Sequence, residues 1–134
     1  MAEITKRTPT APSMSSVLVP PNCRLTGLKA GEALGALDAC RIGTDGLVYR
    51  ASGAAANANA KVRGWASQAT PVGEAVTLLH NVNVGYGAGL TPGADYYLSG
   101  TVLGGIADTP STGGTQPIAF AFDQTRIFIK QSNY

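Results

Sequence analysis

Gly85-Tyr-Gly-Ala-Gly-Leu-Thr-Pro-Gly-Ala-Asp-Tyr-Tyr-Leu-Ser-Gly100 is the stretch whose grammar decides the fold class. Pro92-Gly93 sets a turn, because proline fixes φ and glycine accepts positive φ. Asp95 to Leu98 follows at once as a short strand with two aromatic residues. The same order of glycine turn, acidic residue and apolar run ending in leucine occurs in Gly31-Glu-Ala-Leu-Gly-Ala-Leu37 and Gly73-Glu-Ala-Val-Thr-Leu-Leu79. Turns feeding short strands are the pattern of a small all-β scaffold, and no strand–helix alternation points to a parallel α/β sheet.

Outward from that stretch, the remaining elements follow the same rule. Strands are expected over 34–40, 47–52, 62–68, 75–82 with a short continuation to 86, and 95–98. Thr44-Asp45-Gly46 reads as a hairpin turn and Thr70-Pro71-Val72-Gly73 as another. Residues 53–61 are Ala- and Asn-rich and read as a loop with one helical turn, since nine residues make a marginal helix. The run 101–107 contains Gly104-Gly105, a turn or bulge, and 108–116 is a surface loop of Thr, Ser, Gly and Pro. Near the C-terminus, Ile118, Phe120 and Phe122 share one strand face with Ala119 and Ala121 opposite. Asp123-Gln124 turns the chain, after which Ile127 and Ile129 share a face and Arg126, Phe128 and Lys130 take the other. Seven to nine strands at this spacing specify a small antiparallel β-barrel or a jelly-roll-like sandwich.

Length and composition agree with a single domain, expected over residues 23–134, with 1–22 as an extended N-terminal arm. The arm holds Pro9, Pro12, Pro20 and Pro21 among serines and threonines and is too poor in apolar residues to order itself. It reads either as a frayed terminus or as an arm that lays an extended strand on a partner. Only 13% of the 134 residues are charged and the net charge is +2, so blanket binding to nucleic acid is not expected. So thin a polar coat on an Ala- and Gly-rich chain points to permanent assembly with other protein. Lys6 and Arg7 precede prolines rather than an apolar run, so no export signal is expected, and no segment has the length of a membrane span. Cys23 and Cys40 read as two buried thiols in preference to a pair.

Catalytic parts are scarce. His80 is the single histidine and shares a strand face with Val76 and Leu78, as a structural histidine does. With two distant cysteines it falls short of a zinc site. The eight carboxylates are dispersed, mostly beside turns, where they cap backbone N–H groups. Gly85-x-Gly87-x-Gly89 lacks the context of a dinucleotide loop, and Pro92 breaks the helix such a loop would open. No cofactor or metal is therefore expected, and no enzymatic activity. Tyr96 and Tyr97 are candidate interface aromatics; as neighbours on a strand they face opposite ways, so one serves the core and the other a neighbour.

The order of these pieces resembles the small capsid decoration, or cement, proteins of tailed bacteriophages. The matching pieces are Ala30-Gly31-Glu32-Ala33-Leu34, Asp45-Gly46-Leu47-Val48, Val62-Arg63-Gly64-Trp65-Ala66, Val72-Gly73-Glu74-Ala75-Val76, Leu90 to Leu98, Ile118-Ala119-Phe120-Ala121 and Ile127-Phe128-Ile129. They run in order from about Leu28 to Lys130 and leave the arm outside. The resemblance implies a virion protein, assembled in the host cytoplasm, that binds the outer capsid surface. There it would bridge neighbouring major capsid subunits, with further copies beside it as a homo-oligomer or as shell neighbours, without touching nucleic acid or membrane. On that reading Ile4, Val17, Leu18 and Val19 anchor the arm, and Lys6 and Arg7 meet acidic capsid surface. Two other classes stay open. A receptor- or glycan-binding domain of a tail fibre requires aromatic residues such as Trp65 and Tyr86 at loop tips, and a small hydrolase requires His80 or an acidic pair.

Overall fold

The structure, a computed structural model, describes Ile4 and residues 23–132. Among the described residues, ten strands form two sheets. The first contains β1 (Arg24–Lys29), β2 (Ala39–Ile42), β3 (Val48–Arg50), β4 (Gly64–Ala66) and β5 (Ala75–Leu79), in the order β1-β5-β4-β2-β3. The second contains β6 (Val82–Gly85), β7 (Asp95–Leu98), β8 (Ile106–Ala107), β9 (Ala119–Ala121) and β10 (Arg126–Ile129), in the order β6-β10-β9-β7-β8. Every pair of neighbouring strands is antiparallel. The protein is therefore all-β and sandwich-like; the sheets are not closed into a barrel. Each sheet is built by one continuous half of the chain. The passage between the halves is His80-Asn81, where Asn81 takes a left-handed φ of 55° and donates its N–H to the Ile129 carbonyl at 2.6 Å.

The main core lies between the sheets. Ala39, Trp65 and Leu79 meet Val84, Tyr86, Leu98, Ile127 and Ile129 there. The first sheet is buried on its other face too: Cys40, Ala66, Val76 and Leu78 pack with Val48 under a cover formed by Ala30, Leu34, Leu25 and Leu28. Adjacent residues such as Leu78 and Leu79, or Trp65 and Ala66, thus enter different cores. That is why β4 and β5 are apolar at consecutive positions instead of alternating. The stretch after β10 binds the two sheets together. Lys130 accepts from the Trp65 indole N–H at 2.9 Å, Gln131 donates to Arg63, and Ser132 exchanges bonds with both backbone groups of Val62.

The turn of the opening stretch is present as expected. Gly93 has φ 82°, and the Tyr96 hydroxyl accepts the Thr91 N–H at 2.9 Å, so the strand's own tyrosine fastens the turn before it. The expected strand over 34–40 is not continuous. Leu34 makes one bridge to Thr70, Leu37 turns left-handed at φ 62°, and β2 starts at Ala39. Asp38 causes the break: its Oδ2 accepts the Gly35 N–H at 2.7 Å, which closes a turn where the apolar pattern alone predicts a strand. The loop over 53–61 contains one 3-10 turn, Ala58–Ala60, capped by Asn57 through the Asn59 N–H.

Candidate functional site

The residues that could carry chemistry are dispersed. His80 is only 8% exposed, in the passage between the sheets, and its Nδ1 has no hydrogen-bond partner. Four of the eight carboxylates hold local structure. Asp38 closes the turn at Gly35. Glu32 accepts the Arg50 N–H at 2.7 Å and pairs with its guanidinium at 3.3 Å. Asp45 accepts from Leu47 N–H and from the Tyr49 hydroxyl. The Tyr49 bond, followed by the Leu47 N–H, lowers the Asp45 carboxyl below its ordinary value, and the same Asp45 bond raises the Tyr49 phenol. Among the described residues no three of His, Cys, Asp and Glu stand close enough to hold a metal ion. Cys23 and Cys40 form no disulfide with each other. Cys40 is a buried thiol that donates to the Asp38 carbonyl at 3.1 Å, whereas Cys23, expected to be buried too, is half-buried beside the Asn81 carbonyl at 3.6 Å.

Asp123 governs the tight connection between β9 and β10. Its Oδ1 accepts the N–H groups of Thr125 at 2.9 Å and Arg126 at 2.8 Å, and its Oδ2 accepts from the Arg126 guanidinium at 2.8 Å. These bonds, that to the Thr125 amide foremost, pull the carboxyl down from 3.8 to about 2. A carboxyl depressed on folding contributes stability above its unfolded value, and that contribution fades as pH falls through its folded value. The melting temperature of Asp123→Asn should therefore change less than that of the wild type between pH 3.8 and about 2. Carboxyl-carbon titration by NMR should place the Asp123 midpoint at about 2.

That hairpin presents the most distinctive surface of the molecule. Phe128 pairs directly with Phe120 across β9 and β10 on the face turned away from the core. Their rings stack at 5.2 Å, and Phe122 meets Phe120 edge-on at 5.6 Å and lies 6.2 Å from Phe128. Phe122 is 38% exposed. The Lys130 ammonium lies 5.9 Å from the Phe120 ring and the Arg126 guanidinium 5.8 Å from the Phe122 ring, so the patch has a cationic border. All three phenylalanines of the chain are gathered here, outside, while Ala119 and Ala121 on the same strand face the core. Sequence reasoning separated Phe120 and Phe122 from Ala119 and Ala121 but put Ile118 with the phenylalanines; Ile118 precedes β9 and is fully buried in the core beside the alanines, and the cluster itself was not singled out. The signal for it was available: a tight turn at Asp123-Gln124 pairs Phe120 with Phe128.

The sequence-derived site residues fall in different places. Lys6, Arg7, Val17, Leu18 and Val19 lie outside the described residues. Ile4 rests on the chain's own sandwich, half-buried against the main core, with its N–H on the Ile106 carbonyl at 3.2 Å. Tyr96 is 2% exposed and belongs to the core, and Tyr97 is half-buried on the opposite face of β7. Trp65 and Tyr86, the aromatics a glycan-binding reading needs at loop tips, are instead buried and meet edge-to-face at 6.3 Å between the sheets. Two open grooves of about 360 and 340 Å³ flank the loops at 53–61 and 110–115, and their lining holds no aromatic or acidic side chain. No known protein family, curated protein or solved structure matches the chain.

Proposed function

We propose that this chain is a non-enzymatic structural protein that binds the outer surface of a phage capsid and cements neighbouring major capsid subunits. The observation that carries the reading is the outward-facing cluster of exposed Phe122 with half-buried Phe120 and Phe128, bordered by Arg126 and Lys130. Three clustered aromatic rings on a chain with so little surface charge form a docking surface for another protein. Phenylalanine carries no hydroxyl or N–H to bond sugar hydroxyls, and the tryptophan is enclosed, so a protein partner fits this face better than a glycan. The order of turn–strand pieces, which resembles that of capsid decoration proteins, supplies the identity of the partner. Binding only the assembled lattice would stabilise it by mass action, and repeated copies would add avidity.

The experiment is a binding assay on capsids stripped of their outer protein. Wild-type chain should saturate them and raise their melting temperature. Phe122→Ser combined with Phe128→Ser should weaken binding by about 30-fold or more, the effect of losing central aromatic anchors. Deleting residues 2–19 should lower occupancy further if the arm contributes anchors. Unaltered occupancy with the double variant, whose fold is checked by its own melting curve, would overturn the assignment of this face.

A further inference from the structure

The outer face of the second sheet carries two charges that its own chain leaves open; the inference drawn from them rests on the capsid reading of that face. Asn83, Phe128, Phe120 and Asp95 stand opposite one another across β6, β10, β9 and β7, so they form one row on the side turned away from the core. Asp95 is exposed while its neighbour Tyr96 is buried, which sets the carboxylate on the outside. Lys130 directly follows β10 and holds its ammonium 5.9 Å from the Phe120 ring. Phe120 is thus flanked by a cation from the side of β10 and by an anion from β7. Arg126 differs, because Asp123 accepts from its guanidinium at 2.8 Å and meets its charge within the hairpin. Among the described residues, neither Lys130 nor Asp95 forms an ion pair.

These positions constrain what can cover the rings. Directly paired side chains on neighbouring strands have β-carbons about 5 Å apart, so a surface that seals Phe120 also covers the Asp95 carboxylate. It covers the Lys130 ammonium as well, which borders the same ring. A charge taken from water without a counter-charge opposes association, and a well-placed opposite charge offsets that penalty. Arg126 sets no such demand, since Asp123 travels with it. A uniformly acidic surface would suit Lys130 and repel Asp95, a uniformly basic one would do the reverse, and an uncharged one would strand both. We propose that the capsid surface seated on this face is bipolar: an apolar seat for Phe122 and the Phe120–Phe128 stack, with a carboxylate opposite Lys130 and a basic side chain opposite Asp95. The two charges then fix the orientation of the contact, because half a turn of the partner would set like charges against each other.

The test measures the rate at which the full-length chain associates with capsids stripped of their outer protein, from about 50 mM to about 1 M salt, with the fold of each variant checked by its melting curve. Lys130→Glu and Asp95→Lys should each slow association about 10-fold at low salt. Both should come within about twofold of the wild type near 1 M, where charges are screened within about 3 Å. The double variant keeps the net charge of +2 but reverses the pair, so it should be slower than either single variant. Lys29→Glu, on β1 of the first sheet, changes the net charge as Lys130→Glu does and should leave the rate within about twofold of the wild type. Equal slowing by Lys29→Glu would overturn the proposal, since net charge alone would then explain the effect. Rates unchanged by both single variants, with binding lost in Phe122→Ser combined with Phe128→Ser, would overturn it and leave the capsid reading intact. Binding that survives the phenylalanine double variant would overturn both. Sedimentation of the chain alone addresses the other occupant: a dimer broken by each single charge variant and restored by the double variant would show that the face meets a second copy, and would overturn the proposal.

Discussion

Replacing Trp65 by alanine should lower the melting temperature by about 15 °C, the loss of roughly 4 kcal/mol from a domain of this size. Trp65 is fully buried at the centre of the main core, in β4 of the first sheet. Its ring meets Tyr86 edge-to-face at 6.3 Å, and its indole N–H reaches the Lys130 carbonyl at 2.9 Å. Alanine leaves a void between two sheets that cannot collapse onto it, because both are held by their own ladders. It also strips a donor from a carbonyl in the segment that joins the sheets. Trp65→Phe keeps a six-membered ring in the site and removes the donor with a smaller part of the volume, so it should cost less, about 1–2 kcal/mol. Thermal and urea denaturation of the pair separate volume from hydrogen bonding. Equal losses for the two variants would show that the hydrogen bond, not the filled volume, dominates.

Gly113→Ala should destabilise by about 2–3 kcal/mol, near 10 °C in melting temperature, although it adds one methyl group on a surface loop. Gly113 donates to the Gly53 carbonyl at 2.8 Å and lies flat on the loop that carries the 3-10 turn. A β-carbon there would fall on the Ala55 carbonyl and within 2.8 Å of the Ala60 methyl. Both neighbours are short and rigid, so relief requires backbone movement, and Ala60 is itself fully buried. Gly100→Ala is the control: its β-carbon would stand at 3.4 Å from Ser111, an ordinary contact, and its cost should stay within about 0.5 kcal/mol. A Gly113→Ala melting curve that overlays the wild type would show that the two loops do not press together as described.

How far the fold could be read in advance is best seen at particular residues. Asp95 to Leu98, Ala75 to Leu79 and the hairpin around Asp123 were legible, because turn chemistry and apolar runs agree there. β1 was not anticipated. It is a largely exposed edge strand with a left-handed glycine, Gly27, and an irregular register between Leu25 and Leu28, so its alternation is broken. Leu34 to Cys40 misled in the opposite sense, since a side-chain bond from Asp38 is invisible to periodicity. At β9, alternation separated Phe120 from Ala119 and Ala121 but could not tell inside from outside. The packing between the sheets decides that: Trp65 of the facing sheet and Tyr86 beside β6 enter the same core as Ala119 and Ala121, whose small side chains suit a space already holding two large rings. For the same reason the aromatic patch was legible as a stripe and not as a surface. The positions over 5–19 named as arm contacts rest on sequence alone.

The contact of Ile4 with Ile106 has a further consequence, which concerns time instead of shape. The chain touches the second sheet at its very beginning, then builds the first sheet, and returns to the second only in its latter half. Closing two points so distant in sequence is entropically unfavourable until the strands between them are in place. Ile4 must therefore wait: its seat beside Ile106 is complete only when the strands between them have formed. Among the described residues, one hydrogen bond and one half-buried side chain hold it there, a lighter hold than that of the core strands.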